Sequence, residues 1–463
     1  MDSVADSDVL SDFATDLRNS EQQSALLTDL YQLTMLDAYL ARDMREPAVF
    51  EFFSRRLPKN RSFLMTTGLE QLLDYLETIA FSSVEIDWLE STELFSSRLL
   101  EYLAEFRFRG DVYALPEGTV FFENEPIVQV VASLPEAQLV ETRLINLIHF
   151  STLIASKAAR CVMVAPGKIL VDFGLRRAHG AEAGLFAARA SYIAGFAGTS
   201  NVLGKARFDI PIYGTMAHSF IQAHESEMEA FDHFARTYPD GSVLLIDTYD
   251  TLVGAERVVD LINRLRPEGI QIRAVRLDSG DLPTLAEGVR KILDENGCSD
   301  VSIFCSGSID EYILARDFTA EIPADGFGIG THLDVSADAP YLDCAYKIQE
   351  YANKPRRKRS SGKSTWPGRK QVFRSYESDG RIRSDLITLA DDQEDGRALL
   401  ECVVSGGIRV AKSPSLGAIR DYAASELASL PDAMSDPLSK SHYPVEISTS
   451  LRALAEQVDS TFL

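Results

Sequence analysis

Six short apolar runs in the middle of the chain end in residues that handle ligands. KILVDF (168–173) runs into Gly174, IPIYGTM (210–216) into His218 and Ser219, and VLLID (243–247) into Thr248. IRAVRLD (272–278) runs into Ser279 and Asp281, VSIFCS (301–306) into Gly307, and GFGIG (326–330) into Thr331. Asp, Ser and Gly at one strand end commonly start a turn or cap a helix. Six such ends in one array point to a shared ligand site. A second feature lies further on. KPRRKRSSGKSTWPGRK (354–370) holds eight Lys or Arg in 17 positions. Its Gly, Ser and Pro make a mobile loop. We read it as a loop closing over a polyphosphate; a solvated charge run or a nucleic-acid patch is the plainer alternative.

The elements that must position these residues follow from periodicity. From residue 167 the apolar runs alternate with helical segments such as 252–266 and 283–295. Alternation of this kind predicts parallel strands with crossover helices. The C-terminal strand ends of such a barrel-like array converge on one face, where the site lies. Upstream, residues 26–40 have helical apolar spacing with Thr28 and Asp29 as caps. AVFEFF (48–53) reads as a strand, two helical stretches reach about residue 106, and strand signals run from 111 to 133. Residues 136–160 read as one long helix, rich in small residues that suit close packing.

Length and composition set bounds. A chain of 463 residues predicts two or three domains. No apolar run is read as approaching the roughly 20 residues of a membrane span. The first residues are acidic and polar, unlike a secretory signal. The five cysteines are scattered without a CxxC pair, which predicts free thiols, no structural zinc and a reducing cytoplasm. Net charge is −23, from 46 basic and 69 acidic residues. That excess repels nucleic acid and anionic membranes. Anionic substrates would then need cations gathered locally.

Several motifs together resemble nicotinate phosphoribosyltransferase: TDLYQLTM (28–35), DFGLRRAHG (172–180), AGTSNV (197–202), GTMAHSF (214–220), IDTYDT (246–251), VRLDSGD (275–281) and GIGTHL (328–333). Each is weak alone; in this order they are specific. The resemblance implies the type II phosphoribosyltransferase fold, an irregular α/β barrel with an N-terminal α+β domain and a small C-terminal region. The expected organisation is a flexible acidic tail (1–20), an N-terminal domain (21–160), the barrel (161–353), a basic phosphate-side loop (354–371) and a C-terminal region packing on the N-terminal domain (372–463). It implies a homodimer with shared sites. It further implies transfer of ribose 5-phosphate from phosphoribosyl pyrophosphate to nicotinate, within NAD biosynthesis, coupled to ATP hydrolysis through a phosphohistidine.

The resemblance also assigns roles. Phe173 and Tyr31 stack on the pyridine ring, Tyr31 from a partner subunit. Arg176 meets the ring substituent, with Arg276 as a second candidate. In nicotinamide-using relatives an Asp stands at the place of Ser200; it would repel a carboxylate, at a cost of several kcal/mol. Ser200 therefore favours nicotinate. His218 matches the phosphorylated histidine, with Glu225 or Glu227 as candidates to orient it. Asp278 and Asp247 suit an oxygen-bound Mg²⁺ held through water. Ser279, Ser306, Gly307, Gly330 and Thr331 resemble a phosphate cradle, with Arg55 and Lys363 as diphosphate contacts. The other readings are a nicotinamide or quinolinate enzyme, a barrel aldolase or isomerase, and a binding protein that keeps the fold without catalysis.

Overall fold

The computed structural model describes residues 24–318 and 321–461. The acidic tail expected at 1–20 lies outside the described residues. The chain divides into two compact units. One comprises residues up to Thr152 with Tyr341–Asp432 and Ser441 onward; the other comprises Leu153–Pro340 with Ala433–Lys440.

The first unit is built on a seven-stranded sheet. Its order is Lys354–Pro355, Cys344–Tyr351, Pro47–Ser54, Pro126–Ser133, Asp111–Ala114, Glu401–Ser405, Ile408–Arg409. All six neighbouring pairs in it are antiparallel. AVFEFF lies in the middle, and seven of the eight residues from Pro47 to Ser54 are buried. Both faces are covered there, which accounts for an apolar run in place of strict alternation. A second sheet is formed by Arg397–Ala398, Lys370–Tyr376, Ile382–Leu389 and Val445–Ile447. Three helices, not two, lie between 69 and 104. Ser82 and Ser96 cap the second and third, and Ser82 forms a reciprocal capping box with Glu85. These caps divide what periodicity alone had run together.

The basic segment 354–370 is more structured than a mobile loop. Its first two residues pair with the strand Cys344–Tyr351. Arg357 and Arg359 pair with Asp459. Arg369 sits 4.2 Å over the Tyr113 ring, and Lys370 Nζ is buried 2.8 Å from Glu51 Oε2. Burial is the largest influence on Lys370 and lowers its pKa, against Glu51. Four of the eight cations are thus held within the unit itself. Lys358 and Lys363 are exposed.

The second unit carries an all-parallel sheet of six strands, numbered here β1 (Ile169–Asp172), β2 (Gly198–Thr199), β3 (Ser242–Leu245), β4 (Ile272–Leu277), β5 (Ser302–Ser306) and β6 (Gly326–Ile329). The order across the sheet is β2-β1-β6-β5-β4-β3. Helices such as Thr251–Leu265 and Leu282–Glu295 connect successive strands, as the alternation requires. One strand differs from expectation. IPIYGTM forms only an isolated parallel bridge, Ile212 to Thr199. Pro211 lacks a donor and residues 211–214 are exposed, with Ile212 at 50%. The run lies beside Gly198–Thr199, the last regular strand on that side, which bonds to Pro211 O and the Tyr213 amide. Gly198 is needed there, because a Cβ would meet Pro211 O at 2.2 Å.

The residues read as one helix form two, Leu134–Leu139 and Glu141–Val164. The second has 24 residues and an 18-residue window of mean hydropathy 1.3, so by length and composition alone it is apolar enough to cross a membrane. The sequence reading found no such run. With 72% of the window buried inside the protein, it has the burial of a core helix. Ala155, Ala158 and Ala159 are fully buried in it. The five cysteines are free.

Candidate active site

The C-terminal ends of β1 to β6 gather most of the candidate residues. Phe173 follows β1, with its ring 5.9 Å from the Phe304 ring. Gly328 on β6 leaves room for it: a Cβ there would stand 2.3 Å from the ring. The Arg276 guanidinium, from β4, lies 5.6 Å over the Phe173 ring centroid. Arg276 is held on several sides. Nε donates to Ser306 Oγ at 2.8 Å, and Nη2 donates to Asp278 Oδ1 at 2.7 Å. A longer contact of 3.4 Å joins Nη1 to Met216 O. Ser306 Oγ in turn donates to Asp278 Oδ1 at 2.5 Å. The Ser306 hydroxyl is therefore committed to this ion pair, and a phosphate would meet its backbone instead.

Burial pushes the Asp278 carboxyl up, but the Ser306 hydroxyl and the Arg276 guanidinium outweigh it, so the pKa lies below its ordinary value. The site thus holds a fixed carboxylate beside a fixed guanidinium. Asp247, at the end of β3, supports the same turn. Its Oδ2 accepts from the Asp278 amide at 2.9 Å and from Ser279 Oγ at 2.7 Å. Its Oδ1 is buried without a hydrogen-bond partner.

His218 opens a helix, as expected, but that helix is only five residues long, His218–Gln222. Its Nδ1 lies 3.1 Å from Thr248 Oγ1, and its Nε2 lies 3.9 Å from Asp278 Oδ2. Neither glutamate orients it. Glu227 pairs with Arg257 at 2.5 Å, and the Glu225 amide donates to Glu229. Sequence reading placed Thr248 at a strand end, directly after Asp247 in IDTYD, but gave it no role toward His218.

The glycine turns after β5 and β6 lie close to their neighbours. Gly307 has φ +100°, and a Cβ there would stand 2.2 Å from Asp278 O. Side chains at such positions strain the backbone. At Gly330 a Cβ would meet Phe173 O at 2.6 Å, and Thr331 beside it is exposed. Ser200 follows β2, its amide donating to Asp172 O at 2.8 Å. Arg176 is exposed in the turn Leu175–Arg177, with no hydrogen bond or ion pair among the described residues. Arg276, not Arg176, is the arginine this unit pre-positions. Tyr31, Arg55 and Lys363 belong to the other unit. Tyr31 is 46% exposed on the helix Leu30–Ala41, Arg55 Nη1 pairs with Asp343 at 3.2 Å, and Lys363 is exposed.

This fold and this cluster define an α/β-barrel enzyme with a candidate site at the strand C-termini, where fixed charges suit anionic ligands. Comparison with known proteins makes the class specific. The family models match in three parts: the nicotinate phosphoribosyltransferase N-terminal domain over 26–149, the nicotinate phosphoribosyltransferase family over 169–356 and the C-terminal domain over 393–455. Nicotinate phosphoribosyltransferase pncB2 of Mycobacterium tuberculosis is 46% identical over 433 residues, covering 93% of each chain. The Bacillus subtilis nicotinate phosphoribosyltransferase is 35% identical over 455 residues, covering 92% of this chain and 93% of that one. Among solved structures, human nicotinic acid phosphoribosyltransferase superposes with a TM-score of 0.83 at 28% identity, covering 93% of this chain and 100% of that one. The chain belongs to the nicotinate phosphoribosyltransferase family.

Proposed function

We propose that this protein joins nicotinate to phosphoribosyl pyrophosphate, giving nicotinate mononucleotide and pyrophosphate for NAD salvage. The observation that carries the reading is the Arg276 guanidinium, fixed by Asp278 and Ser306 beside the Phe173 ring. A pyridine ring stacked on Phe173 brings its carboxylate near that cation. Arg176 and the Ser200 hydroxyl offer further donors to it. Such stacking contributes about 0.5–1.5 kcal/mol beyond burial.

The chemistry asks little covalent work of the protein. The ring nitrogen has a lone pair and no proton to lose. Its new bond to the ribose carbon forms as the carbon–oxygen bond to diphosphate breaks, and that electron pair leaves with the diphosphate. Holding both reactants in line and balancing charge are the tasks that remain. Asp278, kept ionised, sits where positive charge develops on the ribose. The turns at Gly307, Gly330 and Thr331 offer backbone amides to the 5-phosphate, and Ser279 offers a hydroxyl. Arg55 and Lys363 serve the diphosphate.

Mg²⁺ fits these residues in part. Asp247 Oδ1 lacks a protein partner, but no group of three His, Cys, Asp or Glu able to hold a metal comes together among the described residues. Asp247 and Asp278 would hold the ion through water, the diphosphate oxygens completing its shell. When bound, it would neutralise charge on the leaving diphosphate.

His218 is the acceptor of the ATP γ-phosphoryl. Thr248 engages Nδ1, which leaves Nε2 for the phosphorus–nitrogen bond, with ADP leaving. A phosphoryl group there faces Asp278 and raises the negative charge beside the diphosphate, and hydrolysis of the phosphohistidine resets the site. The reading extends to a homodimer in which Tyr31 of a second copy covers the other ring face.

The test is steady-state turnover with phosphoribosyl pyrophosphate and Mg²⁺, comparing nicotinate with nicotinamide, with and without ATP. Preferred and ATP-stimulated turnover of nicotinate is expected. Preference for nicotinamide would overturn the Ser200 argument. Turnover of neither would leave a binding protein on this fold.

A further inference from the structure

Beneath the Phe173 turn lies a pair of carboxyls that the proposed chemistry does not use. Asp172, the last residue of β1, is fully buried. Its Oδ1 accepts from the Gly174 amide at 2.7 Å, and its Oδ2 accepts from Thr199 Oγ1 at 2.7 Å. One carboxylate thus grips the turn that carries Phe173 and β2, the strand that Ser200 follows. The Asn201 amide extends the grip by donating to Thr199 Oγ1 at 3.0 Å. Asp334, at the end of the short helix Thr331–Asp334, is also fully buried, and no protein N–H reaches either of its oxygens. Its carboxyl is pressed against Gly174: a Cβ built on that glycine would lie 2.1 Å from Asp334 Cγ. Gly174 has an ordinary right-handed backbone, φ −94° and ψ −17°. It is glycine for space, and the space is filled by a carboxyl. The two acids face each other, and burial followed by the Asp172 charge holds Asp334 well above the ordinary carboxylate range. Two buried carboxyls in contact share a proton, since both cannot ionise there.

We infer that Asp172 and Asp334 are positioning residues for the pyridine pocket: a buried carboxyl pair, packed on Gly174, that locks the Phe173 turn against β2 and the Ser200 that follows it. The inference rests on the nicotinate reading above. In it Asp334 donates its proton to Asp172, which leaves Asp172 its remaining lone pairs for Gly174 and Thr199. The pocket is set by β1, β2 and the turn after β6: besides Asp334, Asp172 bonds to Gly174 and Thr199, Asp334 shares its one-turn helix with Thr331, and the ribose-side groups on β3, β4 and β5 lie outside the pair's hydrogen bonds.

That separation gives the test. Purified wild type, Asp334→Asn, Asp334→Ala and Asp172→Asn are assayed for the KM of nicotinate, the KM of phosphoribosyl pyrophosphate and kcat, with thermal unfolding of each. Loss of a supporting carboxyl is expected to raise the nicotinate KM about tenfold in Asp334→Ala and Asp172→Asn, leaving the phosphoribosyl pyrophosphate KM within about twofold in Asp172→Asn and raising it less than the nicotinate KM in Asp334→Ala, whose helix begins at Thr331. Asp334→Asn keeps an N–H donor toward Asp172 and is expected to restore most of the nicotinate KM. A nicotinate KM unmoved in folded Asp334→Ala overturns the inference, as does an equal rise in both KM values. If Asp334→Ala does not fold, Asp172→Asn decides by the same criteria. Wild type that turns over nicotinate beside unmoved variants sinks only the positioning role, whereas wild type inert toward nicotinate sinks the functional reading and this role with it.

Discussion

At the residue scale the site separates groups by what already holds them. Arg276 reached only second place as the carboxylate contact in sequence, yet it is the arginine the strand ends fix. Replacing it by Lys keeps the charge but loses the fork that joins Ser306 and Asp278. The expected outcome is a fall in kcat/KM for nicotinate of about 10- to 100-fold, read by steady-state kinetics, since hydrogen bonds to charged groups are worth about 1.5–3 kcal/mol. Arg276→Ala carries a pH signature as well. Asp278 is pushed up by burial and brought below its ordinary value by Ser306 and Arg276. The stability of that pair is present above the unfolded carboxylate pKa and is lost as pH falls through the depressed one. Without the guanidinium the Asp278 pKa rises, and the acid limb of kcat/KM moves to higher pH. His218 is tested directly by label transfer. γ-labelled ATP is expected to mark the wild type and not His218→Ala; equal labelling of both would place the phosphoryl group elsewhere.

At the element scale the decisive feature is how tightly the turn after β1 meets the helix after β6. Gly174→Ala puts a methyl into the Asp334 carboxyl. Overpacking of this kind costs about 1–3 kcal/mol. Denaturant unfolding of Gly174→Ala, Asp334→Ala and the double variant reads the coupling, and the double variant is expected to be more stable than the sum of the single losses allows. Simple additivity would mean that the two groups do not compete for space. The same scale explains the misread strand. Apolar content favoured 210–216 as a full strand, but Pro211 lacks a donor, so the run reaches the sheet only through Thr199, at the single bridge to Ile212 that Gly198 leaves room for.

At the scale of a whole unit, burial of charge sets stability and its pH dependence. Arg374 in the first unit is fully buried. It pairs with Asp385 at 2.7 Å and Glu426 at 2.9 Å, and donates to Val120 O at 2.8 Å. It joins Val120 of the N-terminal stretch to Asp385 and Glu426 of the stretch Tyr341–Asp432. Arg374→Ala leaves the buried Asp385 without its cation, while Glu426 keeps Arg397 at 3.2 Å, and is expected to cost about 3–5 kcal/mol in chemical unfolding. Asp334 acts in the opposite sense from Asp278. Its raised pKa means that the native state keeps a proton which the unfolded chain releases. Stability therefore falls as pH rises from the ordinary carboxylate range through the raised pKa. Asp334→Asn is expected to flatten that fall, measured as Tm against pH; an unchanged slope would mean that Asp334 is ionised in the folded protein.

Taken alone, the sequence determined the parallel array, the residues at its strand ends and the family. Each of these rests on local order: apolar runs at strand length, crossover helices between them, and motifs whose glycines and acids must stand next to one another in the chain. It did not determine which of two arginines is held, what orients His218, or that Asp172 and Asp334 meet. Those depend on residues far apart in sequence being brought within hydrogen-bond reach by strand order, β6 beside β1 and β4 beside β5. Nor did it show that half the cations of 354–370 are bound internally, because a charge's partner is fixed by packing and not by its neighbours along the chain.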